Sequence, residues 1–326
     1  MATRRDIRRI LVAIRDLDRA PRHELRKAAE LARAFNARIE LFHAAEIALR
    51  GHVLARDRAD HLRSHAQAQI ERGTRRLKQF SRLSALRGVA VTVHVNSDFP
   101  PHEAIVRRAL HTDAHLVIAG TGTRGPFGRL VPTGSDWELI RECPSLLLLV
   151  KSARPYSGST MLVAVDPFHA HAKPSDLDTK LLVQGGAIAH RMSASLHVFH
   201  AYVPLIEMAP GPAGPVVAFD LPPEAQAAYT DLVGHTVLKL AARAGVPAAA
   251  CHVQMGPVAG ELCALAKSLR ASLVILGAVS RSGLRRLFIG ATAERVLDAL
   301  TCDVLVVKPR DFTCSVGRRS RAIPLR

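Results

Sequence analysis

Residues 116–151 read LVIAGTGTRGPFGRLVPTGSDWELIRECPSLLLLVK, and residues 273–308 read LVILGAVSRSGLRRLFIGATAERVLDALTCDVLVVK. The two stretches align without a gap. Each has a short apolar run, a loop of small residues, a helical segment and a second apolar run, so one unit has been used twice. Working outward at the same spacing, Phe42-His43-Ala44 answers Phe199-His200-Ala201. With a small slip, ILVAIRD from Ile10 answers MLVAVDP from Met161. The copies therefore share order as well as content.

Within each copy, strand-sized apolar runs alternate with segments of helical period, the pattern of a parallel sheet covered on both faces. The strands expected in the first copy are Ile10 to Ile14, Ile39 to His43, Val89 to Val95, His115 to Ala119 and Ser145 to Val150. Those of the second are Met161 to Val165, Ser195 to Ala201, Ala248 to Val253, Ser272 to Leu276 and Asp303 to Val307. First helices are expected over Arg22 to Ala34 and Ser175 to Met192, the latter capped by Ser175. Glu46 to Leu86 reads as a long basic helical stretch, and its counterpart carries a Pro/Gly-rich loop, Pro204 to Pro223. The fold class is α/β: two tandem doubly wound five-stranded parallel sheets with binding crevices at the carboxyl ends of the strands. The expected domains are 1–151 and 160–309, joined by a linker at 152–159 and followed by a disordered basic tail at 310–326.

A chain of 326 residues suits two domains, and 48% apolar content lets each bury a core. No apolar run approaches the roughly 20 residues of a membrane span. Arg4, Arg5, Arg8 and Arg9 open the sequence, but the apolar stretch behind them ends at Arg15 without a cleavage site, so no export signal is read. Five cysteines, Cys143, Cys251, Cys263, Cys302 and Cys314, lack the spacing of a disulfide framework or a zinc knuckle and fit a reducing cytoplasm. The net charge of +17 raises nucleic acid as a partner. Arginine spread along the helices is read instead as base composition, with nucleic acid kept as the alternative.

The glycine-rich loop, the helix opening Ala293-Glu294-Arg295-Val296 and the run Pro132-Thr133-Gly134-Ser135-Asp136-Trp137 ending in Arg141-Glu142-Cys143-Pro144 resemble the universal stress protein family, its tandem E-type members in particular. The family's signature is Gly, two residues, Gly, nine residues, then Gly with Ser or Thr. The second copy carries it in worn form as Gly277, Ser280, Arg281, Gly283, Gly290, Ala291 and Thr292. Small residues leaving a strand let backbone N–H groups approach an anion, and the following helix adds its positive end. The resemblance implies ATP as the ligand there, Asp166 at the end of the first strand and Ala201 at the end of the second contacting the nucleoside.

Departures are concentrated in the first copy, whose positions are Arg15, Gly120, Thr123, Thr133, Gly134 and Ser135. Arg15 stands where the Asp is expected, Thr123 replaces the second Gly and Thr133 the third, which makes this site degenerate. Arg15 either meets an anionic ligand or is a solvated strand-end charge.

Other signals are discounted. Gly120-Thr121-Gly122-Thr123-Arg124-Gly125 matches G-x-G-x-x-G, but it follows the fourth strand and Pro126 and Pro132 delay the helix, unlike a dinucleotide loop. His61 with His65, and His169 with His171, lack third and fourth ligands and are read as surface residues, with no metal. His43 and His200 at equivalent strand ends fit a structural role. No nucleophile elbow or carboxylate pair nominates a catalytic residue. The expectation is a stress-response binding or signalling protein, its resemblance implying a part in resistance to DNA damage. The alternatives are an ATP sensor using the second copy, with weak ATPase activity, and a nucleic-acid-associated basic protein. Expected partners are a small anionic or nucleotide ligand and a protein not identified by the sequence, with no membrane. The last strands are expected to pair, giving an internal pseudo-dimer or a homodimer.

Overall fold

The structure, a computed structural model, describes residues 6–45, 56–121, 123–124, 130–131, 133–168, 176–204, 206–210, 216–220, 222–278 and 291–319. The first copy runs β1 (Arg9–Ala13), α1 (Arg22–Phe35), β2 (Arg38–Ala44), α2 (Arg56–Ser81), β3 (Val91–Asn96), α3 (Pro101–Thr112), β4 (Leu116–Gly120), a two-stranded ribbon of β5 (Thr123–Arg124) and β6 (Leu130–Val131), α4 (Gly134–Glu142) and β7 (Leu146–Val150). The second runs β8 (Thr160–Ala164), α5 (Leu177–Arg191), β9 (Ser195–Tyr202), β10 (Ile206–Pro210), β11 (Val216–Asp220), α6 (Pro223–Arg243), β12 (Cys251–Met255), α7 (Val258–Ser268), β13 (Leu273–Gly277), α8 (Ala291–Ala299) and β14 (Asp303–Val307).

The strands are apolar on both faces because both faces are covered. Leu11, Val12, Val117 and Ile118 are at most 1% exposed, as are Leu162, Val163, Val274 and Ile275 in the second copy. Each copy forms five parallel strands, and the two sets join into one ten-stranded sheet of order β12-β9-β8-β13-β14-β7-β4-β1-β2-β3. The joint is antiparallel, Val304 facing Leu149, Leu305 facing Leu148 and Val306 facing Leu147. The last strands pair within one chain, the arrangement expected of an internal pseudo-dimer. One core cluster joins α1, α2, α5 and α6 to one face of the sheet, and another joins α3, α4, α7 and α8 to the opposite face. Each cluster crosses the joint, so neither copy ends its core at its own last strand.

Several local expectations shift. Ala248 to Ala250 form a short 3-10 turn before β12, and Ser84 to Leu86 form its counterpart before β3. The run from Val89 starts late as a strand because Gly88 takes φ +78° and the Val89 amide bonds back to the Leu86 carbonyl. Helix α2 ends at Ser81, short of the expected Leu86, and residues 46–55 of the expected stretch lie outside the described residues. Ser175, the expected cap, also lies outside them; Asp176 holds the N-cap place of α5 without a side-chain capping bond. The Pro204 to Pro223 segment is not all loop, since β10 and β11 pair as an antiparallel ribbon within it. Nor is the tail disordered as far as Arg319: Val316 is 8% exposed within the core beside α4, and the Cys314 thiol donates to the Glu142 carbonyl.

The seam carries a buried polar network. Asp303, wholly buried, accepts from the backbone amides of Lys151 and Ser152 at 2.8 Å each, and from the Tyr156 hydroxyl at 2.7 Å. Lys27 of α1 completes it, 3.1 Å from Asp303 and 3.5 Å from the centre of the Tyr156 ring. Residues 152–159 are thus tied into the interior by Tyr156, itself wholly buried. Two lysines then cross the seam reciprocally. The Lys151 ammonium donates to the carbonyls of Leu297 and Leu300 at the end of α8, and the Lys308 ammonium to those of Ile140 and Arg141 at the end of α4. Each cation meets the negative end of the other copy's last helix.

Candidate functional site

In the first copy a cavity of about 400 Å³ opens at the carboxyl ends of β1 and β2, between α2 and the starts of α3 and α4. This is the switch point of the sheet, where β1 is flanked by strands running on to opposite sides. Its floor is fixed by His43, whose Nδ1 lies 2.7 Å from the carbonyl of Ile14. With Nδ1–H donating to a carbonyl, the ring is held as one tautomer and ties the end of β2 to the end of β1.

Arg15, at the end of β1, is half-buried and already paired with a carboxylate of the chain. Its Nη1 lies 2.5 Å from Oδ1 of Asp136, a residue with no exposed surface. Asp136 is the third residue of α4, and its other oxygen accepts from the Thr133 amide at 2.7 Å and the Thr133 hydroxyl at 3.0 Å. A carboxylate of the chain itself therefore sits at the helix end where an anion is favoured. The expected residues Thr133, Gly134 and Ser135 do come together here, as the cap and first turn of α4, with Ser135 on the cavity wall.

Gly120 has a different reason for being glycine. A Cβ there would come within 2.0 Å of the Glu24 carboxylate on α1. Partial burial raises the pKa of Glu24. Thr121 is buried and Thr123 and Arg124 form a strand of the ribbon, while Gly122 and Gly125 lie outside the described residues.

The second copy repeats the scaffold. His200 Nδ1 lies 3.0 Å from the Val165 carbonyl, and the Ala278 amide bonds to Val307 as Thr121 does to Val150. Gly277 packs against Leu177, where a Cβ would approach to 2.8 Å. Asp166 stands at the end of β8 with its amide donating to Asp178 at 3.1 Å, and Ala201 is half-buried near the end of β9. Phe168 lies over His200 with ring centres 5.8 Å apart. Of the expected loop, Ser280, Arg281, Gly283 and Gly290 lie outside the described residues, while Ala291 and Thr292 open α8.

Sequence reasoning missed Asp136 as a site residue, although Thr133-x-x-Asp136 before an apolar run is a capping-box spacing and would have found it. It also missed Gln69, Arg72 and His102 on the cavity wall, which α2 and α3 supply and no loop motif marks. Cys143 and Cys302 are buried and their thiols are pushed up to about 11 and about 12 by burial, which makes them packing groups rather than nucleophiles. His65 is exposed, the side chain of His61 and residues 169–171 lie outside the described residues, and no cluster of three metal-ligating side chains occurs among the described residues. Among those residues, too, no helix is long and apolar enough to cross a membrane. Several arginines behind the basic excess have intramolecular partners, Arg33 on two carbonyls and Arg72 on Asp18.

Comparison with known proteins agrees with this geometry. Residues 6–151 and 159–308 each match the universal stress protein family. The chain is 30% identical over 235 residues to Universal stress protein E of Escherichia coli strain K12, covering 70% of this chain and 72% of that one. It superposes on a functionally unknown protein of Pseudomonas aeruginosa PAO1 with a TM-score of 0.69 at 25% identity, over 95% of this chain and 96% of that one. A universal stress protein of Archaeoglobus fulgidus superposes with a TM-score of 0.61 at 13% identity, over 92% and 98% of the two chains. Two matched copies in tandem and an E-type relative aligned along most of both chains lead to one conclusion: the chain belongs to the universal stress protein family, and with it to the stress response.

Proposed function

We propose that this chain serves the stress response by binding a ligand rather than by turning one over, and that ATP binds at the crevice of the second copy. The observation that carries the reading is the difference between the two helix starts. In the first copy Asp136 places a carboxylate at the start of α4 and Arg15 neutralises it. In the gapless alignment the residue answering Asp136 is Ala293, and Asp166 rather than arginine follows the first strand. The second copy thus supplies no anion of its own from that position, which leaves the positive end of α8 to a phosphate, while Asp166 can accept from ribose hydroxyls. His200, 5% exposed, supports a nearby ligand: its Nε2 is buried and finds no hydrogen-bond partner among the described residues.

Calorimetric titration of the full chain with ATP tests this. Saturable heat is expected from the intact protein and its loss from Gly290→Trp, which fills the loop. An intact protein that gives no heat, or that turns ATP over rapidly with multiple turnovers, overturns the reading.

A further inference from the structure

We infer that the first copy carries a docking surface for the phosphate backbone of duplex nucleic acid, at the end of its strands opposite the crevice. This goes beyond the ATP reading, which concerns the crevice of the other copy. The surface is a strip of arginines along the amino-terminal ends of β1, β2 and β3. Arg8 enters β1 and Arg38 opens β2, and the Arg38 amide bonds to the Arg8 carbonyl at 3.1 Å. Arg82 and Arg87 lie on the turn between α2 and β3. Arg33 of α1 draws that turn to the same end by donating to the carbonyls of Ala85 and Arg87 at 2.6 and 3.0 Å. Arg8, Arg33, Arg38, Arg82 and Arg87 are all exposed.

Not every cation here is spare. Arg33 and Lys78 stand in the last turns of α1 and α2, where the negative end of a helix favours a cation. Asp113 is taken by Arg9 at 2.5 Å, and Asp6 lies 3.8 Å from Arg8. Arg38, Arg82 and Arg87, however, have no ion-pair partner among the described residues. The strip therefore presents an excess of guanidinium groups to water, and such groups form forked bonds to phosphate. Ser159, His190 and Ser195 stand in the second copy at the places of Arg8, Arg33 and Arg38, so the fold itself does not require the excess. The surroundings select the partner. Among the described residues, large exposed apolar side chains such as Phe99, Val203 and Met255 stand at the carboxyl ends of strands, Leu232 and Leu238 stand on α6, and none stands on the strip. Single strands are held on aromatic platforms and bilayers by apolar side chains, whereas a duplex backbone needs only the cations.

Fluorescence anisotropy of a short mixed-sequence duplex DNA, titrated with the full chain over a salt series, tests this. The parent is expected to bind, with an affinity that falls as salt rises. Arg8→Gln, Arg38→Gln, Arg82→Gln and Arg87→Gln combined are expected to weaken binding at least about tenfold and to flatten the salt slope by about 3 to 4, each lost phosphate contact removing roughly 0.9. A control chain loses equal charge from other exposed positions through Lys239→Gln, Arg243→Gln, Lys267→Gln and Arg318→Gln, and is expected to keep most of the affinity. Should the first variant fail to fold, Arg82→Gln with Arg87→Gln, set against Lys239→Gln with Arg243→Gln, makes the same comparison. A parent that leaves the duplex free, binding indifferent to salt, a loss no greater than the control's, or a preference for single-stranded DNA or anionic phospholipid vesicles over the duplex overturns the inference. Titrating the strip variant with ATP reads the second-copy site separately, so either reading can fail alone.

Discussion

At the seam the two copies do the same thing to each other, whereas five residues earlier in each chain segment they do not. Lys151 and Lys308 follow equivalent last strands and close on the carboxyl ends of each other's final helices. The position answering Asp303, however, is Leu146 in the first copy. Asp303 gathers Lys27, Tyr156 and two backbone amides into one buried network, and no mirror image of it exists at Leu146. The reciprocal lysines are what two identical subunits would share, while the Asp303 network needs the covalent connection, because Tyr156 comes from the segment between the copies. The joint therefore combines an inherited symmetric contact with a pin specific to the fused chain.

The largest expected effect comes from making the second copy resemble the first at that pin. Asp303→Leu leaves the Lys27 ammonium buried without its carboxylate, a loss of about 3–5 kcal/mol for a broken buried pair. Urea unfolding of the variant measures it, and a loss below about 1 kcal/mol would show that the network is not holding the joint. Replacing all three side chains by Lys27→Met, Tyr156→Phe and Asp303→Leu should recover part of the loss, since an apolar substitute leaves no stranded charge.

The lysines sharpen the comparison through pH. Burial lowers the pKa of Lys308 to about 8, and it lowers that of Lys151 as well. A folded pKa below the unfolded value of about 10.4 means that the unfolded chain holds more protons between those limits, so stability from this group rises with pH across that window and is lost as pH falls through 8. The gain from Lys308 is on the order of 3 kcal/mol, and it should be missing from Lys308→Met while the fold persists. Lys151→Met should remove a gain of the same sign. Unfolding curves of each variant and the parent between pH 7.5 and about 10.5 read the difference. A parent whose advantage over Lys308→Met does not grow with pH contradicts the burial of a charged amine at this seam.

The fold was legible because duplication and two-sided burial leave marks in one dimension. Strand-sized runs such as Leu146 to Val150, alternating with segments of helical period, read as strands covered on both faces, and their recurrence sets the order. Boundaries were less legible where a backbone conformation decides them, as at Gly88, or where a turn of alanines precedes β12. The paired charges of the crevice escaped for another reason. Arg15 and Asp136 lie far apart in sequence, and a motif read along the chain compares each with a family position rather than with the other. Arg15 alone looked like a solvated charge, and only the close approach of β1 and α4 makes it half of an ion pair. The tail misled similarly, because its arginines outweigh by composition the buried Val316 that docks it.

The smallest effect bears on the crevices themselves. Thr133 caps α4 in the first copy, where Gly290 stands in the second. Removing its hydroxyl with Thr133→Ala should cost about 1 kcal/mol, the usual weight of an N-cap side chain. The informative quantity is its coupling to Arg15. Both residues hold Asp136, Thr133 through one carboxylate oxygen and Arg15 through the other. If the carboxylate is placed by the two together, Thr133→Ala and Arg15→Met are non-additive by at least about 0.5 kcal/mol in a double-mutant cycle read by urea unfolding. Simple additivity would mean that Asp136 is fixed by the helix alone, and that the charge at the mouth of the first crevice owes nothing to the arginine beside it.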